Sequence, residues 1–165
     1  MSIEIREANL HDPADAAGFL LVLDSYARGI MGGSEPLSPD VRQRLVPALR
    51  EQPGALVLLA RSGEQVVGIA SCFFGFSTFA ARPLLNVHDL AVLPEFQGRG
   101  IGRALLAAAE ERARLRGCAK LTLEVLEENG RALGLYRERG FRDFELGGVA
   151  RRTLFLTKAL PPRVD

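Results

Sequence analysis

The sequence predicts a mixed α/β fold: a sheet of about seven strands with four helices, in which a parallel pair of strands flanks one helix. Three observations carry this. Apolar, β-branched runs separated by short turns fill the middle of the chain. Strand and helix patterns alternate through its second half. Between a strand and a helix of that half stands a glycine-rich turn, Gln97-Gly98-Arg99-Gly100-Ile101-Gly102.

From the N-terminus, Ile3 to Ala8 alternates apolar and polar residues and reads as a strand. In His11-Asp12-Pro13 an aspartate cap precedes a proline whose fixed φ suits a first helical turn, so a helix runs to about Tyr26. Gly29 to Pro39, rich in Gly, Ser and Pro, reads as a loop. Ser38-Pro39-Asp40 starts a second short helix, which ends before Gln52-Pro53-Gly54. Ala55 to Ala60 and Gln65 to Phe76 are strands joined around Arg61-Ser62-Gly63-Glu64, and Leu84 to Leu93 is another. The helix after the glycine-rich turn is built of Ala, Leu, Arg and Glu and stops at Gly117. Lys120 to Val125 reads as a strand, and Asn129 to Arg139 as a short helix stopped by Gly140. Phe141 to Leu146 and Arg152 to Thr157 read as the last two strands. No repeat or linker divides the chain, which predicts one domain over 1–165.

The chain is 47% hydrophobic and 25% charged, with ample apolar material for one core. Its 21 basic residues balance 20 acidic ones, which argues against nucleic-acid or membrane binding driven by bulk charge. No apolar run reaches the ~18 residues of a membrane-spanning helix. Met1 to Arg6 lacks the basic-then-apolar layout of a secretory signal. Cys72 and Cys118 form no Cys-x-x-Cys pair, and His11 and His88 stand far apart. Neither a disulfide nor a metal site is expected, and the location expected is the cytoplasm.

A helix N-terminus presents unpaired N–H groups and partial positive charge, and glycine lets a phosphate approach the backbone. Arg99 and Arg103 add positive charge that no acidic residue from position 96 through 109 offsets. From the glycines alone, a merely flexible strand-to-helix turn is an equal reading. A Walker P-loop needs Gly-Lys-Ser/Thr, whereas this turn has Gly102-Arg103-Ala104. A dinucleotide-binding fingerprint begins correctly at Gly98-Arg99-Gly100, with Glu124 at about the right distance downstream. Arg103, however, occupies its third glycine position, and too little chain follows for its sheet.

Gln97-Gly98-Arg99-Gly100-Ile101-Gly102 also fits the Gln/Arg-x-x-Gly-x-Gly/Ala motif of the GCN5-related N-acetyltransferase (GNAT) superfamily. The preceding His88-Asp89-Leu90-Ala91-Val92-Leu93-Pro94-Glu95 resembles that family's fourth strand and its loop. Asn129, Ala132, Leu135-Tyr136 and Gly140-Phe141 match its Asn-x-x-Ala-x-x-Leu-Tyr-x-x-x-Gly-Phe pattern. The resemblance is strong over about residues 84 to 146. It implies the GNAT fold, a mixed, mostly antiparallel sheet whose parallel fourth and fifth strands splay around acetyl-CoA.

By that resemblance, the backbone N–H groups from Gly98 to Arg103 inherit the role of holding the acetyl-CoA pyrophosphate, with Gln97, Arg99 and Ile101 part of the same turn. Leu90, Ala91 and Val92 match strand-four positions whose backbone pairs with the pantetheine arm, much as an added strand would. An N–H near Leu90 would polarise the thioester carbonyl. Asn129 matches a residue that contacts CoA; as an asparagine opening a helix it reads equally well as an N-cap, and one residue could do both. Tyr136 matches the tyrosine that supplies a proton to the departing sulfur; its other reading is a core residue.

An alkyl amine, with a pKa of about 10 judging from lysine, must lose a proton before it attacks, so a base is needed. Many relatives place a Glu on strand four; here the segment offers Asn86, His88 and Asp89. Strict alternation puts Asn86, His88, Leu90 and Val92 on one face and Val87, Asp89 and Ala91 on the other. His88, with an unperturbed pKa of ~6.5, is the candidate base, the rival reading being a partly buried, merely hydrogen-bonded histidine. Asp89 reads as a structural hydrogen-bonding residue unless a bulge turns it inward. Neither cysteine has an activating partner, which favours direct transfer over an acetyl-enzyme.

The implied activity is transfer of an acetyl group from acetyl-CoA to a primary amine of a small molecule or peptide, without a metal. A non-catalytic acyl-CoA-binding sensor or assembly module on the same fold is the alternative, and a homodimer is compatible with either. Arg28 to Pro39, Phe73 to Arg82 and Glu145 to Arg151 are the segments expected to shape the acceptor site. Ser77-Thr78 and the His88-Asp89 register resemble, over a short stretch, the diamine and thialysine acetyltransferases, which would imply an aliphatic amine; the acidic residues that could hold a polyamine are scattered.

Overall fold

Asp12 and Ser38 cap the first two helices of the computed structural model, which describes residues 2–161. The Asp12 carboxylate accepts the Ala14 N–H at 3.0 Å and the Ser38 hydroxyl accepts the Val41 N–H at 3.3 Å. Each cap satisfies a donor that the helix itself cannot. The helices they open are α1, Pro13–Ala27, and α2, Pro39–Glu51. Strands β1 (Ile3–Glu7), β2 (Ala55–Ser62), β3 (Gln65–Ser77), β4 (Arg82–Val92) and β5 (Leu121–Thr122) form one sheet in that order. The pairings from β1 to β4 are antiparallel and β4–β5 is parallel. Helix α3, Ile101–Leu115, crosses between β4 and β5, and α4, Gly130–Glu138, follows β5.

Helices cover both faces of the sheet, which explains why β2 and β3 read as apolar runs and not as alternation. On one face Leu58, Val67, Ala70, Leu85 and Val87 pack against Leu105, Leu106 and Ala109 of α3. On the other, Leu59, Ile69 and Ala91 meet Phe19 and Val22 of α1 and Val46 and Leu49 of α2. Asp15 of α1 is buried where β1 meets β2. Its carboxylate accepts from Arg6 at 2.6 and 2.7 Å, from Arg61 at 3.3 Å and from the Asn9 N–H at 2.9 Å.

Two irregularities position the functional region. First, β4 and β5 pair only at Leu85–Leu121 and Asn86–Thr122, after which β4 continues to Val92 against β3 alone. The Asn86 amide donates to the Thr122 hydroxyl at 3.2 Å and to the Glu124 carboxylate at 3.3 Å, at the point where the strands part. Second, Ser71 pairs with Asp89 but Cys72 pairs with Val87, so His88 is the extra residue of a bulge in β4. This corrects the strict alternation expected. Val87 packs in the α3-side core with Leu90 and Val92, while Ala91, and with it the Asp89 register, turns toward α1.

The expected strands near the C-terminus are shorter than the sequence predicts. The run Lys120 to Val125 is regular only over Leu121–Thr122. In place of Phe141 to Leu146 and Arg152 to Thr157 stand β6, Glu145–Leu146, and β7, Val149–Ala150, a hairpin forming its own sheet. The seven strands thus divide into a sheet of five and a sheet of two. A strand persists only while a neighbour satisfies its backbone, and β5 loses β4 after Asn86. Among the described residues, no helix is long and apolar enough to cross a membrane.

Candidate active site

A single 3-10 turn, Pro94–Phe96, carries the chain from β4 to the glycine-rich turn. There the Gln97 amide donates back to the Val92 carbonyl at 2.9 Å. Gly98 and Gly100 hold φ of +77° and +79°, the left-handed region that penalises any Cβ. The first helical hydrogen bond of α3 runs from the Ala104 N–H to the Gly100 carbonyl at 3.0 Å. The N–H groups of Ile101, Gly102 and Arg103 therefore precede the helical ladder and remain for a ligand or solvent.

The arginines of the turn do not stand uncompensated. Arg103 pairs with Glu138 of α4 at 2.6 Å, an acid supplied from far along the sequence. Arg99 donates to the Glu95 carbonyl at 2.8 Å and lies over the Phe96 ring, 5.3 Å from its centroid. Arg131 of α4 donates to the Gln97 side-chain carbonyl, tying α4 to the turn.

A cleft of about 900 Å³ opens among the end of β4, this turn, the start of α3, α4 and the segment after α1. Leu90, Ala91, Val92, Gln97, Gly98, Gly100, Ile101, Gly102, Arg103, Asn129 and Tyr136 all line it, as one wall and floor. Asn129 caps α4, its side-chain oxygen accepting the Ala132 N–H at 3.1 Å, while still lining the cleft. Tyr136 is half-buried, edge-on to Phe141 with centroids 5.8 Å apart. Arg99, His88 and Asp89 are not among the lining residues. His88 stands exposed on the bulge, its ring edge-on to Phe73 at 5.6 Å.

Sequence reasoning missed Ser25 and Tyr26, which close the cleft from the α1 side together with Ile30 and Met31 of the Arg28 to Pro39 segment expected to shape the acceptor site. Tyr26 donates its hydroxyl to the Met31 carbonyl at 3.2 Å. Burial, and then the charge of Asp89, push the Tyr26 phenol up. Burial, and then Tyr26, push up the phenol of Tyr136. Asp89 belongs to the same cluster. Burial raises its carboxyl above the usual carboxylate range, while the charge of His88 and then the Ser71 hydroxyl oppose the rise. Tyr26 is the link: it feels the charge of Asp89 on β4 and acts in turn on Tyr136 of α4.

Such a cluster can take up one proton and supply another, while the turn presents N–H groups to an anion. The cysteines offer no comparable chemistry: burial pushes the Cys72 thiol up to about 12, and burial also raises Cys118. Among the described residues, no three His, Cys, Asp or Glu side chains gather as metal ligands would.

The chain is similar to known proteins in sequence and in fold. The model of the acetyltransferase (GNAT) family matches residues 22–141. A thialysine N-epsilon-acetyltransferase from Bos taurus is 38% identical over 81 residues, 49% of this chain and 47% of that protein. The chain spans roughly half to three-fifths of the length of the curated relatives it matches, 47% to 59%. Among solved structures, a transcriptional regulator from Bacillus halodurans C-125 superposes with a TM-score of 0.75 at 23% identity, covering 93% of this chain and 100% of that one. The structure of AAC(6')-Iy in complex with the bisubstrate analogue CoA-S-monomethyl-acetylneamine gives 0.75 at 16% identity, covering 97% of this chain and 100% of that one. At these identities the structural likeness is one of fold.

Proposed function

This chain belongs to the acetyltransferase (GNAT) family, and on that premise we propose that it transfers an acetyl group from acetyl-CoA to the primary amine of a small aliphatic acceptor. One observation carries the reading: a helix N-terminus with two left-handed glycines opens onto the same cleft as a half-buried tyrosine. The residues fit an acyl-CoA. Free N–H groups at the start of α3 suit a pyrophosphate, and β4 beyond Asn86 has an unpaired edge that suits the amides of a pantetheine arm.

In this reading the N–H groups from Gly98 to Arg103 hold the pyrophosphate, and Leu90, Ala91 and Val92 pair with the arm. The Leu90 N–H stabilises charge developing on the thioester oxygen. Asn129 adds a polar contact while capping α4. Arg103, held by Glu138, serves chiefly to orient the start of α3 against α4. The amine loses its proton to Asp89, directly or through water, with His88 beside it on the bulge. Its nitrogen then bonds the acetyl carbon, the carbon–sulfur bond breaks as the Tyr136 hydroxyl protonates the leaving sulfur, and the proton the new amide nitrogen sheds restores the Tyr136 hydroxyl, directly or through water.

We assign Asp89 the role expected of His88 because its carboxyl is partly buried and its charge reaches Tyr26 of the cleft wall, whereas the imidazole faces solvent. The small aliphatic acceptor rests on the thialysine-acetyltransferase relatives and on this single carboxyl. The test is release of CoA thiol from acetyl-CoA over a panel of aliphatic diamines, lysine analogues and aminoglycosides, with binding of acetyl-CoA measured by calorimetry. Binding without turnover on any amine would replace the enzyme with a sensor.

A further inference from the structure

Ser71 of β3 is 2% exposed, and its hydroxyl has no hydrogen-bond partner among the described residues. Its neighbours across the sheet are Val57 of β2 and Asp89 of β4. Residues directly opposite in an antiparallel pair project to the same face. The pair two positions on, Ile69 and Ala91, packs toward α1, so Ser71 and Asp89 face that side as well. Val57 is apolar, which leaves the Asp89 carboxylate as the acceptor side chain that the ladder sets against this hydroxyl. The bulge puts it there. Counted on from the Cys72–Val87 pair without the extra residue, Ser71 would oppose His88.

The hydroxyl and the carboxylate share no hydrogen bond in this structure, yet the hydroxyl is near enough to favour the carboxylate's charged form. A buried hydroxyl left unpaired is unfavourable, whereas a serine hydroxyl rotates to suit an acceptor offered to it. We propose that the Ser71 hydroxyl donates to the Asp89 carboxylate and is thereby the positioning residue for the base of the reaction. The inference rests on the reading of Asp89 as that base. Ser71 does not line the cleft, so it acts through Asp89 alone.

The bond has a direction. A donor favours the ionised carboxylate, so it limits how far burial lifts the Asp89 carboxyl. It also holds one carboxylate oxygen toward β3 and leaves the other for the amine. The remaining groups that face Asp89 are His88 of β4, Tyr26 of α1 and Cys72 of β3. The charge of His88 acts in the same sense as the hydroxyl. Tyr26 is pushed up by burial, and the Cys72 thiol is pushed up to about 12, so both stay neutral while a carboxyl titrates.

The test is the titration of Asp89 itself, followed by NMR at the side-chain carboxyl carbon of isotope-labelled aspartate, with the signal assigned by its loss in Asp89→Asn. Ser71→Ala removes one buried oxygen and should fold. It should raise the Asp89 midpoint by about one unit, and the acid limb of the pH–rate profile should move with it, lowering turnover about tenfold along that limb. Turnover on the plateau and acetyl-CoA affinity should hold. The amine's own ionisation is common to both proteins and cancels in the comparison. Ser71→Cys, close in size but a weak donor, should titrate with Ser71→Ala. In a His88→Gln background the difference between Ser71 and Ser71→Ala should persist. An Asp89 signal unmoved in folded Ser71→Ala or Ser71→Cys overturns the inference whatever the base is, as does a shift that vanishes without His88. If the signal moves while the rate profile stays, Asp89 is not the base, and the part of Ser71 in the reaction falls with it.

Discussion

Asp89 pairs with Ser71 across the β3–β4 ladder, one position beyond His88, which has no partner on β3. This one-residue slip leaves His88 exposed and Asp89 partly buried. It yields the first prediction. Asp89→Asn should lower turnover by about 10²-fold or more with little change in acetyl-CoA affinity. Because burial raises the Asp89 carboxyl, the rate should climb with pH through an ionisation above the ordinary carboxylate value of about 4, and the variant should lose that limb. His88→Gln should have a markedly smaller effect. If the two variants rank the other way in a pH–rate series, His88 is the base.

Gly100→Asp places a Cβ at φ +79° and a negative charge where the N–H groups of α3 converge. No atom lies within 4 Å of the added Cβ, so the fold should persist apart from local backbone strain of about 1–2 kcal/mol. Acetyl-CoA affinity should fall by about 100-fold or more. Calorimetry on the folded variant checks this, and unchanged binding would remove the turn from the cofactor site.

Tyr136→Phe keeps the edge-on contact with Phe141 and removes only the hydroxyl. Turnover should drop by about tenfold or more while acetyl-CoA binding holds. Acceptors of lower pKa should not rescue it, since the lost proton goes to sulfur and not to the amine. Full turnover across the pH range would make Tyr136 a packing residue.

Asp15→Asn tests the fold independently of the site. It leaves Arg6 and Arg61 facing a neutral amide in a buried position, at a cost of about 3 kcal/mol. For a chain of this size that is a fall of roughly 10 °C in Tm by calorimetry. Hydrogen bonding to Arg6 holds the Asp15 carboxyl below its usual value, and Arg28 does the same for Asp24. Their stabilisation is therefore fully present above the unfolded pKa of about 4 and is lost as pH falls through the lower folded values. Acid unfolding should begin below about pH 4, and Asp15→Asn should weaken this pH dependence.

The order of elements was legible because its signals are local. Asp12-Pro13 and Ser38-Pro39 mark helix starts through hydrogen bonds to residues two or three positions away. The left-handed φ at Gly98 and Gly100 is a demand that few residues besides glycine meet, so the turn announced itself. Asn129 likewise shows its cap in the sequence, and the helix read from Asn129 to Arg139 includes Tyr136, whereas their place beside the turn was implied only by the family resemblance.

What the sequence left undecided depends on partners distant along the chain. The bulge at His88 is a register shift between β3 and β4, and no periodicity within β4 alone could reveal it. Glu138 reaches Arg103 across 35 residues, so the local charge of the turn read as unbalanced. Tyr26 enters the cleft only because α1 packs on the same sheet face as Ala91. Of the strands expected at 120–125 and 152–157 only Leu121–Thr122 is regular, because a strand also needs a hydrogen-bonded neighbour and the sheet supplies none beyond Thr122. Local sequence fixes backbone preference and capping; tertiary structure decides register, charge pairing and which edges find a partner, because those energies arise between segments and belong to neither alone.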